Sequence, residues 1–292
     1  MKDKIKFWIL ASRPKTLPAA AAPVFVGTAV AISYNEQNLL AALIALVCSV
    51  LIQIGTNFVN DLYDFVKGSD DENRVGPTRA LAAGWISPKQ MKLAIYFTFG
   101  LTFFLGLFLV YHAGWIILLV GVLSIISGYS YTAGPYPLAY NGLGDIFVFV
   151  FFGIVATVGT YYVQSLHFSW LALYASIPVG LLITNILVVN NFRDADDDAK
   201  KNKNTLAVKF GKPFSLVQYS LSMLIAYSTP ILIFFFNDTS VFVFLPFLSL
   251  PLGIRLLNEM QDLDGERLNK TLELTAKLSI IFSFLFAIGI AL

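Results

Sequence analysis

Charge is what this chain has least of. Only 13% of its 292 residues are Asp, Glu, Lys or Arg, roughly half the ~25% of an average soluble domain. So few charges cannot cover a water-facing surface, which argues against a soluble globular enzyme. A hydrophobic fraction of 57% argues equally against a disordered chain. The single cysteine, Cys48, excludes an intramolecular disulfide and a Cys-cluster metal site. It lies within an apolar run, where a small core residue is expected. With only two histidines, His112 and His167, a His-rich metal site or His relay has little to build on. A net charge of +2 gives no electrostatic footprint for nucleic acid. Neither G-x-x-x-x-G-K-[ST] nor G-x-G-x-x-G occurs, which argues against a nucleotide-driven pump.

What the chain has instead is apolar length, including 26 Phe. A helix needs about 20 mostly apolar residues to cross about 30 Å of hydrocarbon. Such runs lie near 16–34, 39–59, 91–110, 114–131, 143–164, 169–189, 214–236, 240–257 and 275–292. They are apolar on all faces, as lipid-embedded helices are. The expected fold is an all-α integral membrane protein with nine transmembrane helices. The runs cover about 180 residues at this span length, which leaves no room for a second, soluble domain. Residues 1–292 therefore read as one domain, with its long loops near 60–90 and 190–213. Lys2, Lys4 and Lys6 resemble the basic start of a signal peptide, but the apolar run Phe7–Ala11 is too short for one. A short interfacial helix leading into the first span is expected.

The basic residues give an orientation. Five precede the first span, five lie in or flank the second-to-third loop, six lie in the sixth-to-seventh loop and four flank the last loop, so nine spans place all 20 on one side. The far loops carry only Glu36 and Asp238, together with His112 and His167. The N-terminus is expected in the cytoplasm.

The acids are concentrated on that same side. One segment contains Asn60, Asp61, Asp64 and Asp70–Glu72; the other contains Asn190, Asn191, Asp194 and Asp196–Asp198. Each begins where a span ends. Asn57/Asp61, Asn60/Asp64, Asn190/Asp194 and Asp194/Asp198 are i,i+4 pairs, sharing a face if the helix continues. Clustered carboxylates repel, and a divalent cation relieves the repulsion. Hard oxygen ligands with open water positions suit Mg²⁺, usually held by one or two carboxylates plus substrate phosphates. Lys67, Arg74 and Arg79 follow the first set; Arg193, Lys200, Lys201 and Lys203 surround the second. Interleaved acids and bases point to a metal–diphosphate site, with Arg gripping phosphate oxygens. One such segment alone would equally suit a solvated loop of mixed charge; two with matching spacing do not. Gln53, Thr56, Asn57, Thr184 and Asn185 carry polarity into the spans, either extending the site inward or bonding helix to helix.

These residues resemble the UbiA superfamily of intramembrane prenyltransferases. Its first motif, N-D-x-x-D with a further Asp downstream, matches Asn60, Asp61, Asp64 and Asp70; its second, D-x-x-x-D, matches Asp194 and Asp198. The gap from Asp64 to Asp70 is longer than usual and resembles the branch that prenylates 1,4-dihydroxy-2-naphthoate in menaquinone synthesis. So do Arg13–Pro18, Arg74–Arg79, Tyr131–Pro135, Gly142–Asp145 and Lys203–Val208. The resemblance covers about residues 12–212, and the later spans are compatible with it.

The resemblance implies a bundle around a central cavity in the cell membrane, opening toward the cytoplasm. It implies transfer of a polyprenyl group from its diphosphate to dihydroxynaphthoate, releasing diphosphate and CO2. Mg²⁺ would bind among Asn60, Asp61, Asp64, Asp70, Asp194 and Asp198, with Asn60, Asp64, Asp194 and Asp198 at the centre of catalysis. Lys67, Arg74, Arg79, Arg193 and Lys203 would hold the diphosphate. Arg13, Lys15, Asn57, Tyr131 and Asp145 are candidates for the acceptor, and Tyr63 and Tyr131 for facing the allylic cation. Two rivals stand beside this expectation: another acceptor (4-hydroxybenzoate, homogentisate or a porphyrin) within the same superfamily, and a transporter with interior polar residues.

Overall fold

The computed structural model describes residues 2–69, 76, 78–237 and 239–292, with side chains from residue 5 onward. Asp70 and Arg74 fall outside the described residues, as do Asp71, Glu72 and Asp238.

All regular structure among the described residues is helical. A short α1 (Lys2–Ala11) precedes α2 (Leu17–Ser33), α3 (Leu39–Val66), α4 (Pro88–Ala113) and α5 (Trp115–Ser130). Then come α6 (Gly144–Ser165), α7 (Trp170–Lys200), the five-residue α8 (Leu206–Phe210), α9 (Lys212–Phe236), α10 (Val241–Asp262) and α11 (Leu268–Ala291). The helix starts are written in the sequence. Asn38, Ser169 and Thr205 each accept a backbone N–H from three residues on, and Ser87 with Gln90 forms a full capping box before Pro88. Gly114 and Gly211, at φ 88° and 84°, turn the chain between α4 and α5 and between α8 and α9.

Among the described residues, seven helices are long and apolar enough to cross a membrane. The two others expected to span, α2 and α5, are apolar but shorter, at 17 and 16 residues. The turn at Arg13–Thr16 trims α2, and Gly114 and the 131–137 turn trim α5. Two spans run further than the apolar pattern suggested. α3 continues to Val66 and α7 to Lys200, so both Asp motifs begin on helix, not in loop.

α2 packs against α3, α6, α7 and α11, which brings the two ends of the chain together. The largest core joins α2, α7, α9, α10 and α11, with Tyr161 of α6. α6 contains a π-helical stretch, Phe149–Val155. There Gly153 lies so close to Gly180 of α7 that an added Cβ would stand 2.8 Å from its Cα. Two facing glycines let the widened turn and its neighbour share one space.

Candidate active site

A large cavity runs through the half of the molecule enclosed by α2 to α7. Its mouth is polar. Asn57, Asn60 and Asp64 of α3 line it, spaced i, i+3, i+7 on one helical face. From α7 come Asn190, Asn191, Asp194, Asp197 and Asp198. Both motifs therefore open into one space.

The two helix ends are tied across the mouth. Lys201 Nζ donates to the Ser69 carbonyl at 2.7 Å. Tyr140 donates its hydroxyl to Asp64 Oδ1 at 2.8 Å, and Lys203 Nζ stands 5.9 Å from the same ring. Lys203 in turn pairs with Asp198 Oδ1 at 3.3 Å. The second Asp198 oxygen is buried and has no hydrogen-bond partner. Thr132 donates to Asn60 Oδ1 at 2.8 Å. Neither Thr132 nor Tyr140 was anticipated as a site residue. Both belong to the α5–α6 connection, which folds back over α3. Tyr131–Pro135 and Gly142–Asp145, quoted above for the resemblance, flank it and were the available signal.

Asp61 departs from expectation. One residue from Asn60 on a helix is about 100° around the axis, and its carboxylate points away from the cavity. It accepts the backbone N–H groups of Ala80 (3.1 Å) and Leu81 (3.4 Å). Arg193 departs too. Its guanidinium grips Asp194 through Nε and Nη2 (2.6 and 2.7 Å), and also reaches Asn269 (2.6 Å) and Asn190 (2.9 Å). With its side chain 1% exposed, it orients Asp194 instead of facing the cavity. Lys15 is a third departure, exposed and paired with Glu273 at 2.9 Å, outside the cavity lining.

The remaining candidates lie in or beside the mouth. Arg79 and Lys203 line it. Lys67 sits at its edge, donating to the Thr132 carbonyl (2.8 Å) with its ammonium 4.1 Å over the Tyr140 ring. Partial burial pulls Lys67 below the ordinary lysine value, opposed by nearby Asp64. Burial and Asp64 push the Tyr140 phenol well above its ordinary range, so it stays a donor. Arg13 lines the cavity from a left-handed backbone (φ 52°), and its buried Nη2 has no hydrogen-bond partner. Burial lowers its pKa, with Asp61 and Asp64 opposing. Tyr131 and the buried Asp145 also line the cavity, and Gln218 of α9 donates to Asp145 at 3.0 Å. Tyr63 is outside the lining and shares a hydroxyl contact with Tyr129.

The interior polar residues divide. Gln53, Thr56 and Asn57 line the cavity, and Asn57 also donates to the Ser12 carbonyl at 2.9 Å. Thr184 and Asn185 bond within and between helices, to Gly180 (2.8 Å) and Tyr219 (3.2 Å) carbonyls. Cys48 is buried in the cavity wall.

Among the described residues no group of three His, Cys, Asp or Glu side chains is placed to hold a metal ion. What the mouth offers is Asp64 from α3, Asp194, Asp197 and Asp198 from α7, amide oxygens beside them, and the orphaned Asp198 oxygen. That donor set fits a hard divalent cation completing its shell with water and phosphate.

Comparison with known proteins gives the family. The UbiA prenyltransferase family model matches residues 20–281. A 1,4-dihydroxy-2-naphthoate octaprenyltransferase of Escherichia coli (strain K12) is 36% identical over 99% of this chain and 96% of its own. One from Bacillus subtilis (strain 168) is 30% identical over 96% and 90%. A UbiA homolog from Archaeoglobus fulgidus, solved bound to DMAPP and Mg2+, superposes with a TM-score of 0.64 at 17% identity, covering 96% of this chain and 99% of that one. The chain belongs to the UbiA prenyltransferase family.

Proposed function

We propose that this protein transfers a polyprenyl group from polyprenyl diphosphate to 1,4-dihydroxy-2-naphthoate, yielding the quinol form of demethylmenaquinone, diphosphate and CO2. The observation that carries it is one cavity with carboxylates of two helices and basic side chains at its mouth and an apolar interior below. The relatives named for this acceptor cover nearly the whole chain.

Asn60, Asp64, Asp194 and Asp198 would hold Mg²⁺, with Asp70 a further candidate; bound there, it supplies Lewis acidity toward the diphosphate. Lys67, Arg79 and Lys203, with Arg74, neutralise the leaving group. The allylic C–O bond breaks and its electron pair leaves with the diphosphate. A ring carbon of the acceptor attacks the cation, forming the C–C bond. The carboxyl group on that carbon departs as CO2, returning its electron pair to the ring. The enclosed cavity keeps water from the cation. The Arg13 guanidinium is placed for the acceptor carboxylate, with Tyr131, Asn57 and Asp145 around the ring. Counting α2 and α5, nine helices span the cell membrane, the N-terminus is cytoplasmic and the mouth opens to the cytoplasm, in accord with the one-sided Lys and Arg.

The test is turnover by purified protein with polyprenyl diphosphate, Mg²⁺ and carboxyl-labelled dihydroxynaphthoate. Labelled CO2 should appear with the prenylated quinol, and EDTA should abolish both. Turnover of 4-hydroxybenzoate or homogentisate in preference would overturn the acceptor. Absence of diphosphate release with every acceptor would overturn the transferase.

A further inference from the structure

Resting on the transferase function proposed above, we infer that Asp145 is the general base of the reaction: it takes the proton of the acceptor hydroxyl next to the carboxylate and returns it to the product.

The other acids of the mouth are already engaged. Asp64 accepts from Tyr140 at 2.8 Å, Asp194 is gripped by Arg193 at 2.6 Å, and Asp198 pairs with Lys203 at 3.3 Å. Asp145, in the first turn of α6, lines the same cavity and is 6% exposed. What reaches it is a neutral group. Gln218 of α9, itself outside the lining, donates to Asp145 Oδ1 at 3.0 Å. Among the described residues no cation pairs with Asp145. An amide orients a carboxylate without taking up its charge, so Asp145 is fixed in place and keeps its capacity to bind a proton.

Its surroundings place it beside the acceptor. The Tyr131 phenol feels the charges of Asp145, Asp64, Arg13 and Asp198. A Cβ added at Gly144 would stand 3.0 Å from the same phenol oxygen. Asp145 therefore shares one region of the cavity with Arg13, the residue placed for the acceptor carboxylate. A ring held there by its carboxylate has Asp145 as a neighbour.

The chemistry asks for such a group. In dihydroxynaphthoate one hydroxyl is ortho to the carboxylate, and the hydrogen bond between them holds its proton. The carbon bearing the carboxylate gains electron density as that O–H ionises. On attack the proton passes to Asp145, the C–O bond becomes C=O, and the ring carbon bonds to the allylic carbon. The adduct is a β-keto carboxylate. Its bond to CO2 breaks, the electron pair moves into the ring, and the carbonyl oxygen takes the proton back from Asp145. The side chain emerges unchanged and nothing else is consumed.

Asp145→Asn is the direct test. With dihydroxynaphthoate its kcat should fall about a hundredfold or more, with KM for both substrates within about threefold of wild type. Asp145→Glu, which keeps a carboxylate, should recover part of that loss. The discriminating measurement uses dihydroxynaphthoates with electron-withdrawing substituents on the far ring, which make the hydroxyl progressively more acidic. The ratio of wild-type to Asp145→Asn rate should narrow along the series, because an acceptor that ionises readily needs less help from a base. Gln218→Leu, which removes the positioning amide, should lower kcat about tenfold and narrow in the same way. A ratio constant across the series, a kcat for Asp145→Asn within about threefold of wild type, or a loss confined to KM overturns the inference. Wild type that releases no diphosphate with any acceptor would instead count against the transferase function, so the two failures are distinct.

Discussion

The two halves of the bundle are built to opposite specifications. In α5 only Ile117 is buried among 16 residues, whereas α11 buries eleven of 24. Of the most apolar stretch of α3, 17% is buried; of α7, 67%. α3 to α6 enclose space, and α7, α9, α10 and α11 fill it. Polar side chains follow the division. On the hollow side Gln53, Thr56 and Asn60 face the cavity. On the filled side several pair with one another: Tyr219 with Thr275 at 3.0 Å, Tyr227 with Ser249 at 2.7 Å. Folding strength and chemistry are thus assigned to different helices, with α7 belonging to both.

The division breaks if damage to one half registers in the other. The largest effect should come from the mouth. Asp64→Ala and Asp194→Ala should each lower kcat by about a thousandfold or more through lost charge stabilisation, with a detergent melting temperature near that of wild type. A matching fall in melting temperature would show that the mouth is structural. On the filled side, Phe282 is fully buried against Tyr227 (5.2 Å) and Phe286 (5.7 Å). Phe282→Ala should cost about 3–5 kcal/mol of stability, while the folded fraction keeps its KM for both substrates. A changed KM in folded protein would show that the halves are coupled.

The sequence shows the first half of this arrangement better than the second. The apolar runs are legible because hydrocarbon thickness fixes a length that few other constraints impose. The Asp motifs are legible because their spacing matches a helix turn, and α3 and α7 do extend far enough to carry them. Which face they show is not legible. Asn57/Asp61 and Asn60/Asp64 have equal spacing, and only the packing of α3 decides that Asp64 faces the cavity while Asp61 binds Ala80 and Leu81. Partners distant in the chain are hidden for the same reason. Nothing local to Arg193 announces Asn269, and nothing near Asp64 announces Tyr140. Lys15 sits in a motif-like run yet turns outward to Glu273.

Arg193 is where the halves meet, and a milder change sharpens its role. Arg193→Lys keeps the charge but loses the two-pronged hold on Asp194. The expected result is a fall in kcat of about ten- to a hundredfold with KM for the diphosphate little changed, as for a positioning residue. A dominant rise in KM would make Arg193 a diphosphate ligand after all.

The smallest effect lies at the far loops, where an ion pair joins the α2–α3 turn to the α6–α7 turn. His167 Nε2 meets Glu36 Oε1 at 2.9 Å, and Tyr161 donates to the other Glu36 oxygen at 2.8 Å. The hydrogen bond to His167 lowers the Glu36 pKa, and that to Glu36 raises the His167 pKa. For His167 the raised value means stabilisation fully present below its unfolded value of about 6.5 and lost as pH climbs through the folded one. For Glu36 the lowered value means stabilisation present above its unfolded value and lost as pH falls through the folded one. The pair therefore contributes most in mildly acid solution. Both groups are solvent-exposed, so the effect is small: a melting temperature about 1–2 °C higher at pH 6 than at pH 8.5. His167→Ala should abolish that difference and leave catalysis unchanged at either pH. A variant that loses activity as well would carry the far loops into the chemistry of the mouth and end the separation between them.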